Sequence, residues 1–319
     1  MIRIYITESE QYEQLREIFL PSSIKGTWFN LTNPSLDELN MVAGITNSPL
    51  DFLKAALDEE ERSRTEIDEN CLLVITNIPV IRGKDNYDAL PLGIIITSEC
   101  IITVCLENNE VLSDFNAANA KLFSTFKKTR FLFQILYKSA ALYLRHLKQI
   151  NHRTDEIERY LRKSMKNKEI FELRDLQKGL TYFTASLRSN GIVLEKLLRL
   201  RSNNQFQQLI KLYEEDEDLL EDVIIENKQA IEMVEMYSHI LNGMMDTFAS
   251  IISNNLNRVM KFLASMTIIL AVPTMISSFF GMNVAIPFGD NEYGFTIVTV
   301  VATLLTGLSA FILWKKQLF

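Results

Sequence analysis

Residues 278–284 read Ser278-Phe279-Phe280-Gly281-Met282-Asn283-Val284, and this passage joins the two stretches that decide what kind of chain this is. Residues 262–280 contain no charged side chain, and neither do residues 295–314. As helices rising 1.5 Å per residue, both are long enough to cross a hydrocarbon core of about 30 Å. The sequence before them is polar enough to stay in water. The reading is a large soluble body that ends in a membrane hairpin. The question then becomes what crosses the membrane, rather than which reaction is catalysed.

Charge orients the hairpin. Arg258 and Lys261 precede the first span and Lys315 and Lys316 follow the second, while residues 284–294 carry Asp290 and Glu292 but no Lys or Arg. By the positive-inside rule both termini are expected in the cytoplasm and the loop outside. The opening Met1-Ile2-Arg3-Ile4-Tyr5-Ile6 lacks the long apolar core of a secretory signal, so the soluble part is expected to remain on the side of synthesis. The net charge of −7 over 319 residues, with no large basic cluster, argues against a nucleic-acid binder. Cys71, Cys100 and Cys105 are an odd set on expected strands, and read as small core hydrophobes in a reducing compartment.

Proline and glycine divide the soluble body. Five prolines lie between Pro21 and Pro91, the next is Pro273, and Gly179, Gly191 and Gly243 are the only glycines between residues 106 and 250. The central region should therefore be almost wholly helical, with breaks near residues 166–168 and 202–204. Before it, β-branched runs at 71–76, 93–97 and 100–104 predict strands, and helices are expected to start after Pro34 and at Pro49. The predicted organisation is an α+β domain over 1–119, a helical region over 120–218, a stalk helix over 219–261, spans at 262–280 and 295–314 joined by an external loop at 281–294, and a basic tail at 315–319. Ile224, Ile231, Val234, Leu241, Met245, Phe248, Ile252 and Leu256 form one apolar stripe with no breaker before the first span. A single helix from about Leu219 to Phe280 would be about 90 Å long.

Signatures of catalysis are missing. His146, His152 and His239 are isolated, read as satisfied or solvent-facing, and no Cys-x-x-Cys or His-x-x-x-His pair occurs. No glycine-rich phosphate loop is present, which argues against ATP-driven pumping and against an enzyme. Two spans cannot enclose a water-filled path, so a pore needs several copies. The first span, with Ala264, Ser265, Thr267, Ala271, Thr274, Ser277 and Ser278, suits the lining, although small residues also serve plain helix packing. At its outer end Asn283 offers a neutral amide oxygen. A ring of these can hydrogen-bond the water shell of a divalent cation without stripping it, which suits Mg²⁺.

Phe280-Gly281-Met282-Asn283 before a short loop, a final span and a Lys-rich tail resembles the CorA family of divalent-cation channels. The resemblance continues through Asn257-Arg258-Val259-Met260-Lys261, Pro273-Thr274, Trp28-Phe29-Asn30-Leu31-Thr32-Asn33-Pro34 and Glu60-Glu61-Arg62-Ser63-Arg64, and so covers nearly the whole chain. It implies a homopentameric funnel in the plasma membrane (a cell inner membrane in bacteria) that moves Mg²⁺, with Co²⁺ and Ni²⁺ as further cargo, and needs no organic cofactor. Gly281, Met282 and Asn283 would form the selectivity ring. Asn257, Met260, Leu263 and Thr274 would line the path, with an apolar constriction at Met260 and Leu263, and Lys261, Lys315 and Lys316 would form a basic collar. Asp222, with Asp85 or Asp88 of another subunit, would hold a regulatory Mg²⁺ that closes the pore.

Two departures from the family pattern bear on cargo. Phe280 stands where Tyr is common, and the loop lacks a Met-Pro-Glu type segment. A zinc transporter of the same fold, with proton coupling as an option, and a membrane-anchored scaffold or sensor are the rival readings. The acidic run 214–218 reads by default as a solvated tip between helices.

Overall fold

The computed structural model describes residues 1–8, 14–18, 23–68, 70–163, 167–200, 209–210, 213–282 and 293–316. The chain divides into two compact units, Met1–Asn242 and Gly243–Phe319.

The first unit is built on a seven-stranded sheet in the order β2-β1-β3-β7-β6-β5-β4. The strands are β1 (Ile2–Glu8), β2 (Gln14–Ile18), β3 (Thr27–Thr32), β4 (Arg64–Ile67), β5 (Cys71–Ile81), β6 (Tyr87–Thr97) and β7 (Ile101–Cys105). Only β3 and β7 pair in parallel; all other neighbours are antiparallel. Helices α1 (Leu36–Thr46) and α2 (Leu50–Ala55) cover one face. Helices α4 (Lys128–Lys163) and α5 (Asn167–Leu200) cover the other, together with the start of the long helix Glu214–Phe280. A short helix α3 (Glu110–Ser113) lies between sheet and helices in the chain.

Two-sided coverage explains why the central strands read as continuous apolar runs. Along β5, Leu72 and Val74 join the cluster with Phe131 and Leu136, while Leu73 and Ile75 join the one with Leu39 and Leu53. The period of two is kept, but both faces are buried.

Helix α1 begins as expected after Pro34. Ser35 accepts from the backbone of Glu38, and Glu38 accepts from the backbone of Ser35, a complete capping box. Strands β5 and β6 run further than their β-branched cores predicted and contain Pro79 and Pro91. Both prolines are tolerated because they lie where the hairpin outruns its neighbours. Pairing with β4 stops at Ile75, and pairing with β7 starts at Leu92. Beyond that point the backbone N–H of Asn77, opposite Pro91, is bound by Asn190 instead of a strand, so the missing proline donor costs no ladder bond.

One helix ends at Lys163 and the next begins at Asn167; residues 164–166 between them, and the second expected break at 202–204, lie outside the described residues. The long helix starts at Glu214, not near Leu219. The acidic run is therefore its first turn and not a loose tip. Four carboxylates there, Glu214, Glu215, Asp216 and Glu217, complement the positive end of the helix dipole. Asp216 is buried, accepts from the backbone of Tyr213 at 3.3 Å and faces Arg130 at 3.6 Å.

The three cysteines are free and buried, two on strands and Cys100 just before β7. Burial pushes the Cys71 thiol up to about 11, which fits a packing role. His146 is buried with Nδ1 3.0 Å from Gln149 Oε1, and loss of solvation lowers its pKa, while His152 and His239 are exposed.

In the second unit the long helix continues to Phe280 with Pro273 inside it, and a last helix occupies Gly294–Lys315. Both contain a window long and apolar enough to cross a membrane, and 6% of each window is buried.

Candidate ion path

At 100° per residue, Asn257, Met260, Leu263 and Thr274 fall within an arc of about 120° on the long helix. All four are exposed, Met260 by 58% and Leu263 by 53%, so this face is uncovered among the described residues. Thr267 and Ser278 lie in the same arc. The Thr267 hydroxyl donates to the Leu263 carbonyl and that of Thr274 to Leu270, each at 2.8 Å. These donors are satisfied within the helix, and the hydroxyl oxygens keep lone pairs for water on the exposed face. Pro273 removes one donor from the ladder about two turns before the apolar end, a site where this helix can bend.

Gly281 does not end the helix through a left-handed turn. Its backbone N–H still donates to Ser277 at 3.0 Å, and the next, of Met282, to Phe279 at 3.4 Å. A Cβ at Gly281 would meet only the carbonyls of its own preceding turn, that of Ser277 at 3.3 Å. Met282 is exposed. Asn283 and the loop to residue 292 lie outside the described residues. Lys261, Lys315 and Lys316 are exposed and carry no ion pair among the described residues.

The three carboxylates expected to regulate are in different states. Asp222 is exposed on the long helix. Asp88 accepts from its neighbour's backbone N–H, that of Ala89, at 2.8 Å and from Arg82 at 3.2 Å. Asp85 receives both its bonds from Arg153 Nε at 3.1 Å, and Arg153 also holds Glu156 and Glu172. With Arg153 17% and Asp85 13% exposed, this pair is largely withdrawn from water, and a cation at Asp85 would first have to displace a guanidinium. Sequence reading missed Arg153. No run or motif marks it, since its partners come from a hairpin turn and two helices. Among the described residues no three acidic, His or Cys side chains of one chain gather as a metal site.

A soluble α/β body followed by two apolar helices, the first bearing an exposed, partly hydroxylated face, defines the class: a two-span membrane protein whose spans join a water-soluble domain. A family model described as CorA-like Mg²⁺ transporter protein matches residues 25–316, and the chain belongs to that family. It is similar to the cobalt/magnesium transport protein CorA of Methanocaldococcus jannaschii, 28% identical over 295 residues and covering 89% of each chain. The complete structure of the CorA magnesium transporter from that organism superposes with a TM-score of 0.81 at 25% identity, covering 98% of this chain and 96% of that one. The cytoplasmic domain of ZntB from Vibrio parahaemolyticus shares the fold at a TM-score of 0.58 and 13% identity, covering 79% of this chain and 96% of that one.

Proposed function

We propose that the protein transports Mg²⁺, with Co²⁺ and Ni²⁺ as further cargo, through a path formed by the first spans of several copies, five in the family's arrangement. The observation that carries this reading is the likeness to a complete CorA structure across 98% of the chain, spans included. In this reading both termini are cytoplasmic in the plasma membrane, and Gly281, Met282 and Asn283 ring the outer mouth. The ion keeps much of its water shell and meets amide and hydroxyl oxygens, which suits a cation that dehydrates reluctantly. Met260 and Leu263 form the constriction that closes by dewetting. Entry of a divalent ion is driven by membrane potential, about 2.3 kcal/mol per charge per 100 mV.

Regulation follows from charge. Asp222 of one copy with Asp88 of another is the pair that a cytosolic Mg²⁺ would bridge, relieving carboxylate repulsion and favouring the closed state. Asp88 suits this better than Asp85, which Arg153 already occupies. Zinc transport is the reading less supported, because the ZntB likeness extends to fold alone.

The test is flux in proteoliposomes under an inside-negative potential, with Mg²⁺ and Zn²⁺ compared and Asn283→Ala alongside. Mg²⁺ entry that is lost in the variant supports the proposal. Zn²⁺ flux with no Mg²⁺ flux transfers it to the zinc reading, and no flux of either ion from the parent protein overturns transport.

A further inference from the structure

A concave surface of the first unit lies between helix α4 and the turn joining β5 to β6, and it is basic in a chain whose net charge is −7. Its volume is about 530 Å³, within the range of small-ligand sites. One wall is a ridge of α4. Arg145, Lys148 and His152 stand at helical steps of three and four and so share a face about 10 Å long. The other wall is the hairpin turn carrying Lys84, where Gly83 takes a φ of 104° open to glycine. The turn is pinned to the ridge by the Asp85–Arg153 pair, so the two walls are held apart at a fixed distance. Tyr87, buried, contributes to the lining.

The charges are not all spent. Arg153 is committed to Asp85, Glu156 and Glu172, and Arg145 pairs with Glu110. Among the described residues, Lys84 and Lys148 are exposed and have no ion pair, and His152 has no hydrogen-bond partner. Only two carboxylates, Asp85 and Glu156, line the cleft, and both already face Arg153. Two free ammonium groups and an imidazole across a cleft with fixed walls suit a small anion carrying more than one charge. Lysine binds phosphate as a point charge without demanding the fork geometry of a carboxylate pair.

We infer that this cleft binds an organic phosphate of nucleotide size, with Lys84 and Lys148 on its phosphates. The ligand would be bound by side chains, consistent with a sequence that has no phosphate loop, and it would be a bound effector and not a hydrolysed fuel. The inference goes beyond the transport reading, and its test measures binding and no flux.

The test is calorimetric titration of the full-length protein in detergent with ATP, AMP and inorganic phosphate, all with chelator and no divalent cation. Saturable ATP binding, stronger than AMP and both stronger than phosphate, is expected. It should weaken at least tenfold when Lys84→Glu and Lys148→Glu are combined, with the melting transition unchanged. If that double variant does not fold, Lys148→Gln alone must still weaken ATP binding. Absence of saturable ATP binding into the millimolar range overturns the inference, as does unchanged binding in the variants. Binding that appears only with Mg²⁺ and vanishes in Asp222→Ala also overturns it, because the nucleotide would then be held through the acidic helix start.

Discussion

Asn190 on α5 completes the sheet where β4 ends, and removing it gives a sharp test of how the soluble unit is held together. Its Oδ1 accepts from Ser63 Oγ and from the Asn77 backbone N–H, both at 2.8 Å, and its Nδ2 donates to the Asn77 carbonyl at 2.8 Å. The side chain thus imitates a peptide unit of the missing strand. In Asn190→Ala the Asn77 carbonyl keeps the Tyr143 hydroxyl at 3.0 Å, but the Asn77 N–H and Ser63 hydroxyl lose their acceptor. An orphaned buried donor costs about 1–3 kcal/mol, and partial access of water at the half-buried Asn77 moderates this to a total of about 2–4 kcal/mol. For a unit of this size that is a fall of roughly 5–15 °C in melting temperature, read by circular dichroism on the full-length protein. Asn190→Asp refines the test. The carboxylate still accepts from Asn77 and Ser63 but faces the Asn77 carbonyl instead of donating to it, so its pKa should be raised on folding. A group with a raised folded pKa contributes its stability below the unfolded pKa and loses it as pH rises through the folded value. The gap between Asp variant and parent should therefore narrow as pH falls from 7 towards the carboxylate range. A melting temperature for Asn190→Ala within about 2 °C of the parent would refute the strand-mimic argument.

Two further outcomes are expected. Gly179→Ala should destabilise by about 1–3 kcal/mol despite the better helix propensity of alanine, because its Cβ would lie 2.7 Å from Tyr87 Cβ and 3.3 Å from the Tyr87 carbonyl; chemical denaturation checks it, and a stabilised variant sinks it. Asp222→Ala should abolish protection by Mg²⁺ against limited proteolysis and leave flux insensitive to internal Mg²⁺, whereas unchanged protection would remove Asp222 from regulation.

Much of this architecture was legible because local signals agreed with global ones. The capping residues at Ser35 and Glu38, the proline-free centre and the two charge-free stretches each have a cause confined to neighbouring residues. What escaped the sequence depends on distant partners. Strands β5 and β6 continue through Pro79 and Pro91 because of where β4 and β7 happen to stop and because α5 brings Asn190 alongside, 113 residues from Asn77. Asp85 reads as a free carboxylate in the sequence, and its capture by Arg153 across 68 residues withdraws it. The acidic run reads as a tip before the stalk because charge density suggests a loop, whereas four carboxylates suit a helix N-terminus equally well.

Two spans are too few to enclose a water-filled path, and the turns just before them point to several copies independently. Ile252, Leu256 and Val259 are exposed at steps of four and three, the spacing that places side chains along one seam. Yet Asn254, Asn255, Asn257 and Arg258 surround them, and Lys261 follows. An apolar seam among amides and cations is stable only if another helix covers it, and a second copy of the same helix presents the matching seam. Asn257 lies about 100° round from Leu256. Copies packed along the seam would leave Asn257 clear of it, and in the proposed transport reading that side is the one turned to the ion path, where an amide can hydrogen-bond the water shell of an ion.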